Sequence, residues 1–190
     1  MKAHVEQYIL LGLLAVLGVT WVWFSKEPVD DPLGFGLTEA PIVGHLAPDF
    51  TLPMVQGEGE SASNTVTLSE YTGQAGGGMP VVLNFWASWC GPCRIETPHF
   101  QELSLTYKDQ VAILGINQGE SAATVADFGV SFGLTYPLLH DADNGVNEAY
   151  DVFNLPTTIF IDRYGVVREV YVGAISQAVL QERINRLVKE

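Results

Sequence analysis

A continuous apolar run, Pro80-Val81-Val82-Leu83-Asn84-Phe85-Trp86, leads straight into Trp89-Cys90-Gly91-Pro92-Cys93, and no other stretch limits the fold as tightly. An apolar run of this length reads as a strand buried on both faces, as in parallel-containing sheets. The residues after it read as a helix, so the cysteines fall at a strand-to-helix turn. A helix N-terminus presents N–H groups without intrahelical partners and a partial positive charge. Both favour thiolate over thiol, and thiolate is the reactive form. Residues three apart share a helix face, so the sulfurs of Cys90 and Cys93 can meet as a redox-active disulfide. Cys90 is expected at the first helical position, exposed and attacking. Cys93, one turn in and more buried, is expected to resolve the mixed disulfide. Pro92 suits a first helical turn, where its missing N–H had no partner.

The chain has 190 residues and no cysteines beyond these two. Structural zinc needs four ligands, and His4, His45, His99 and His140 supply no second pair with ligand spacing. The reading therefore calls for no metal and no cofactor. A purely structural bridge is disfavoured, because closing so short a loop removes little chain entropy. Soft thiolates leave a non-enzymatic copper-binding module (a metallochaperone) as an alternative. A net charge of −13 argues against nucleic acid as a partner.

Tyr8 to Phe24 carries no charge, with Tyr8 at one end and Trp21, Trp23 and Phe24 at the other. This reads as a single transmembrane helix with interfacial aromatics, placed in the lipid bilayer through residues 8–24. No small-x-small cleavage site follows it, as a removed signal peptide would require. A short head before the anchor and the bulk of the chain behind it put the C-terminal part on the outer, extracytoplasmic side. Disulfides form and persist there. The chain divides into a head at 1–7, the anchor at 8–24, a linker at 25–43 and a globular domain at 44–190. By composition the irregular tether extends to Ala47, with regular structure beginning near Pro48.

Within the domain, Asp49–Leu52 and Thr65–Leu68 read as short strands forming an N-terminal hairpin. Val81–Trp86 is a central strand, and a helix follows from Pro92 to Tyr107. Then come a strand at Val111–Ile116, a helix at Ser121–Phe132, a strand at Tyr136–Leu139 and a short helix at Val146–Tyr150. Thr157–Asp162 and Val166–Val172 form a hairpin. Ser176 caps a last helix whose apolar face is Leu180, Ile184, Leu187 and Val188. Strands alternating with helices imply an α/β fold, and the late hairpin makes the sheet mixed.

Asn84 to Cys93, Pro98, Leu155-Pro156-Thr157-Thr158 and Ala47-Pro48-Asp49-Phe50 together resemble the thioredoxin superfamily. Within it the chain resembles the membrane-anchored TlpA/ResA-like branch, which is redoxin (AhpC-TSA)-like. The resemblance spans Gly44 to Glu190. It implies a thioredoxin-like fold, with a central mixed sheet flanked by helices and a helical insert before Pro156. It implies that Pro156 is a cis proline facing the cysteines and that the backbone of Leu155 pairs with an incoming peptide. It also implies a catalytic role for Glu96, three residues after Cys93, as a partly buried acid exchanging protons with the thiols. Thioredoxin's own acid lies in the preceding strand, where this chain has Asn84, and that departure favours Glu96. Trp89, Gly91 and Pro92 join Leu155 and Pro156 as the expected substrate-binding set. Trp86 is expected in the core. Arg94 stands near the thiols, either steadying thiolate or simply solvated, and His99 is expected at the surface.

The function so implied is a membrane-anchored thiol-disulfide oxidoreductase that reduces protein disulfides. Cytochrome c maturation is its setting, apocytochrome c its substrate, and a transmembrane thiol-transfer donor its source of electrons. A redoxin-type thiol peroxidase is the other enzyme reading. It needs a Pro-x-x-x-Thr-x-x-Cys pattern, which the sequence lacks.

Overall fold

The computed structural model describes residues 38–55, 64–73 and 78–189, all within the compact unit Leu33–Glu190. The anchor expected at 8–24 lies outside the described residues. Among the described residues no helix is long and apolar enough to cross a membrane.

The elements are β1 (Thr51–Val55), β2 (Thr65–Thr67), a 3-10 turn (Leu68–Glu70), β3 (Val81–Trp86), α1 (Gly91–Thr106), β4 (Ala112–Gln118) and α2 (Ala122–Phe132). They continue with β5 (Leu138–Asp141), α3 (Gly145–Ala149), β6 (Thr157–Ile161), β7 (Val167–Val172) and α4 (Gln177–Leu187). The strands form one sheet in the order β2-β1-β5-β4-β3-β6-β7. β3 pairs parallel with β4 and antiparallel with β6. β5 runs parallel to β4, while β7 and β1 pair antiparallel with β6 and β5. The sheet is therefore mixed, as the helix-strand alternation followed by a hairpin implies.

All six residues of β3 are buried. Its side chains alternate between faces. Val82 and Trp86 pack with Phe100, Phe128, Leu180 and Ile184, which come from α1, α2 and α4. Val81, Leu83 and Phe85 pack on the other face with Phe50, Leu52, Leu68 and Tyr150. The serine caps form where the residue types predict them. Ser121 and Ser176 accept hydrogen bonds from the backbone N–H groups of Thr124 and Val179.

Most boundaries shift by one or two residues from the expectation, the fifth strand moving from Tyr136–Leu139 to Leu138–Asp141, and two differences at the entry to the domain have a clear cause. β1 begins at Thr51, because the Asp49 carboxylate instead accepts the N–H groups of Phe50 and Ser69 and shapes the entry to the strand. The segment ending at Ala47 is no tether in its last part. Gly44 N–H donates to Val167 C=O at 2.8 Å, Val167 N–H to His45 C=O at 2.9 Å, and Ala47 N–H to Gly165 C=O at 2.8 Å. Leu46 and Ala47 are fully buried. The edge of β7 leaves backbone groups open, and this irregular stretch closes them.

Leu83 lies in the centre of β3 with no exposed surface. Leu83→Ala is expected to cost about 2–5 kcal/mol of stability, measured by urea unfolding. A loss under about 1 kcal/mol would contradict the packing.

Candidate active site

β3 stops at Trp86, and the chain turns once before α1, with Cys90 N–H donating to Ala87 C=O at 3.2 Å. Gly91 is the first helical residue, so Cys90 is the capping residue and not the first residue of the helix. Its Sγ accepts the backbone N–H of Cys93 at 3.2 Å. That donor is one of the helix's unpaired N–H groups, and it would hold a thiolate at the same sulfur. Cys90 and Cys93 are joined as a disulfide, with Cα atoms 5.3 Å apart. The expectation of an exposed Cys90 is corrected for this oxidised form. Cys90 is 4% exposed and Cys93 0%. The bridge turns the Cys90 sulfur toward Cys93, within the apolar cluster that contains Trp86 and Phe100. Of the two, Cys90 still keeps more surface.

Glu96 lies one turn further along α1 and is 1% exposed. Its Oε1 accepts from Asn84 Nδ2 at 2.8 Å and its Oε2 from Ile175 N–H at 2.8 Å. Burial raises its carboxyl from an ordinary 4.5 to about 7, against the lowering effect of the hydrogen bonds from Ile175 and Asn84. A carboxyl poised near neutrality can take and return a proton at working pH. Tyr136 is buried against this site. Its phenol is pushed far up by burial and, secondarily, by the charge of Glu96.

Leu155-Pro156 is a cis peptide bond. Thr157 opens β6 opposite Phe85 of β3. The antiparallel pairing therefore brings the chain before Thr157 to the sheet end where β3 leaves toward Cys90. Pro156 is buried and Leu155 half-buried, while Gly91 and Pro92 are exposed. Trp89 is 69% exposed beside the buried cysteine, and Trp86 is in the core. Arg94 does not stand free beside the sulfurs. Its guanidinium lies over the rings of Phe132 and Phe128, 5.1 and 5.6 Å from their centroids. His99 is half-buried, not at the open surface, with Nδ1 3.2 Å from Ile175 C=O.

Residues 43–170 match the model of the AhpC/TSA family. The chain belongs to the AhpC/TSA family. It is 36% identical over 181 residues to the thiol-disulfide oxidoreductase ResA of Geobacillus kaustophilus, covering 94% of this chain and 92% of that one. It is 31% identical to the thioredoxin-like protein YneN of Bacillus subtilis, over 93% and 96% of the two chains. A Chlorobium tepidum structure assigned as the thiol:disulfide interchange protein DsbE superposes with a TM-score of 0.67 at 29% identity, over 77% of this chain and 98% of that one. The exposed lipoprotein thioredoxin of Streptococcus pneumoniae does so with a TM-score of 0.58 at 30% identity, over 74% and 100%. This AhpC/TSA member has the thioredoxin-like fold and is a protein thiol-disulfide oxidoreductase of the ResA/DsbE type.

Three features of this family member lay beyond the sequence reading. Asn84 is more than a missing acid, since it holds Glu96. A polar residue inside an apolar strand is the signal that marks it. Phe153, two residues before Leu155, is 82% exposed. Its sequence neighbourhood gave no apolar face to which it had to belong. The Glu120 carboxylate binds Ser88 in the active-site turn. No local pattern links residues so far apart.

The raised Glu96 carboxyl sets a pH dependence. The oxidised native protein holds this proton up to about pH 7, whereas the unfolded chain releases it near 4.5. The folded state therefore binds more protons in this window, and stability falls as pH rises through it. The cost of ionisation is absent below about pH 4.5 and complete above about pH 7, ~3 kcal/mol for such a shift. Glu96→Gln is expected to flatten that part of the stability curve in the oxidised protein. An identical slope in both proteins would rule out a raised carboxyl.

Proposed function

We propose that this chain is a membrane-anchored, extracytoplasmic reductase of protein disulfides. The observation that carries the reading is the Cys90–Cys93 pair at the start of α1 with the buried Glu96 one turn behind it. The reduced Cys90 thiolate attacks one sulfur of a substrate disulfide. A Cys90–substrate disulfide forms and the first substrate thiolate leaves. Glu96 accepts the Cys93 proton, and the Cys93 thiolate then attacks the Cys90 sulfur. The Cys90–Cys93 bond forms, the second substrate thiolate leaves, and two electrons have passed to the substrate.

The substrate peptide lies across Trp89, Gly91 and Pro92 on one side and Leu155 and Pro156 on the other. Its backbone pairs with that of Leu155. The exposure of Phe153, two residues before Leu155, supports its inclusion in this surface, since an exposed aromatic ring favours contact with a partner chain. Gly-Pro between the cysteines resembles thioredoxin and supports the reducing direction, as do the ResA relatives.

The uncharged stretch 8–24 supports a transmembrane helix, with a head at 1–7, a linker at 25–43 and the domain at 44–190, opened by a hairpin of β1 and β2. The exposed lipoprotein relative supports a domain facing outward. Apocytochrome c is proposed as the substrate, through the cysteines of its CxxCH haem-attachment motif. A transmembrane electron donor of the thiol-transfer type would restore the dithiol.

Cys90→Ser is expected to abolish reduction of insulin disulfides, and Cys93→Ser to accumulate a mixed disulfide with substrate. Full activity in both variants would refute the mechanism. The potential of the pair is expected near the value of about −270 mV typical of thioredoxin, and a value near about −120 mV would reverse the assigned direction. Anchoring has its own test. The full chain expressed in bacterial cells is expected to stay with membranes through an alkaline carbonate wash, and its reduced cysteines to react with an impermeant maleimide added to intact cells. Recovery in the soluble fraction would exclude the anchor.

A further inference from the structure

A polar network reaches the active-site turn from the neighbouring strand. Strand register creates it: Trp86, Asn117 and His140 stand side by side on β3, β4 and β5. The loop after β4 turns back at Gly119, whose φ of +65° is left-handed. A Cβ there would come within 2.9 Å of Asn144 Oδ1. The turn delivers Glu120 to Ser88. The Glu120 carboxylate accepts the Ser88 N–H at 2.7 Å and also the Ser88 hydroxyl. Asn117 is fully buried. Its Nδ2 donates to the same carboxylate at 2.7 Å, and its Oδ1 accepts Glu120 N–H at 3.1 Å. His140 Nε2 donates to Glu120 C=O at 2.7 Å.

Ser88 is also held from the helix side. Its carbonyl accepts from Arg94 Nη1 at 3.4 Å, while the Arg94 guanidinium lies on Phe128 and Phe132. Every polar group of Ser88, two residues before Cys90, is thus engaged. A loop fastener needs one such bond. Here three donors converge on one carboxylate, which is the arrangement that holds an ionised group in place.

We infer that Glu120 is a positioning residue of this oxidoreductase: through Ser88 it holds the Trp89-Cys90 turn, and its negative charge beside that turn makes the Cys90 thiol less acidic and the dithiol more reducing. The inference rests on Cys90 being the attacking sulfur. A carboxylate near a sulfur disfavours thiolate. Destabilising the reduced form lowers the potential, since strong oxidants of this kind owe their potential to a stabilised reduced form. Glu120 opposes the α1 N-terminus, which favours thiolate, while the Arg94 guanidinium is engaged by the Ser88 carbonyl and the rings of Phe128 and Phe132. Glu96, held by Asn84 and Ile175, faces the site from beneath Cys93 and acts in the same sense as Glu120 whenever it is ionised.

The test compares Glu120→Gln and Glu120→Asp with the unaltered chain. Three readouts are used: the pH midpoint for Cys90 alkylation in the reduced protein, the equilibrium with glutathione, and kcat/KM for insulin disulfides. In Glu120→Gln the midpoint is expected to fall by about half a unit to one unit. The fraction of reduced protein at a fixed glutathione ratio is expected to rise, by about three- to tenfold in the equilibrium constant. The rate is expected to fall about tenfold, because the turn is misplaced. Glu120→Asp keeps the charge and is expected to recover the midpoint and the equilibrium. A folded Glu120→Gln with unchanged midpoint and equilibrium overturns the inference, even if its Tm drops, since Glu120 would then only fasten a loop. If Glu120→Gln does not fold, Ser88→Ala carries the test. It is expected to keep a native Tm and slow insulin reduction several-fold, and an unchanged rate overturns the inference. An unaltered protein that reduces no protein disulfide would instead overturn the proposed function, because the alkylation midpoint is read without turnover.

Discussion

The hydrogen-bonding of β3 on both edges governs the rest of the molecule. Its neighbours β4 and β6 pair with it through Trp86 and Phe85, and all its side chains are buried. A slip of one residue would exchange the two faces and bring Leu83 and Asn84 to the wrong cores. Breaking a pairing would leave buried backbone groups unsatisfied, at about 1–3 kcal/mol each. The end of β3 is therefore a fixed point. The cysteines leave from it, Leu155 and Pro156 arrive beside it, and the loop after β4 passes next to it. One rigid strand terminus aligns the sulfurs, the cis proline and Glu120 without any of the three being neighbours in sequence.

The site sets opposing electrostatic effects against one another. The capping geometry gives the Cys90 sulfur the backbone N–H of Cys93, which favours negative charge there. Glu96 lies in a buried position that favours its neutral form, and two hydrogen bonds only partly offset the burial. The result is a carboxyl raised to about 7, one turn along α1 from the disulfide, an arrangement that costs stability when the group ionises. Tyr136 stays protonated beside it, because burial and the Glu96 charge both oppose phenolate. Destabilising features of this kind gather at functional sites.

Much of this was legible from residue types at short range. Ser121 and Ser176 cap helices because their hydroxyls reach the N–H three residues on. The strand-turn-helix of residues 81–93 was readable because the apolar run and the following helix each have a local period. Glu96 was readable as sharing the face of Cys93. What escaped depended on partners far away in the chain. Leu46 and Ala47 looked like tether because their irregular backbone has no period of its own. They are buried because the edge of β7 needs covering. Arg94 was open between two roles until α2 placed Phe128 and Phe132 beneath it. Cys90 was read as exposed from its position at a turn, whereas its sulfur is bonded to Cys93 and buried in the apolar cluster that contains Trp86 and Phe100.

By itself the sequence determined the order of elements and the placing of the two sulfurs at a strand-to-helix turn, since each element is signalled by residues within a few positions of one another, and it pointed to dithiol–disulfide chemistry through motifs spread over the domain. Only the tertiary structure decided what surrounds those sulfurs. The partners of Glu96 come from β3 and from the loop before α4, and the clamp on Ser88 comes from beyond β4. The reason is physical. Propensity and capping act over a few residues, whereas burial and charge environment depend on which distant segments the sheet register brings together.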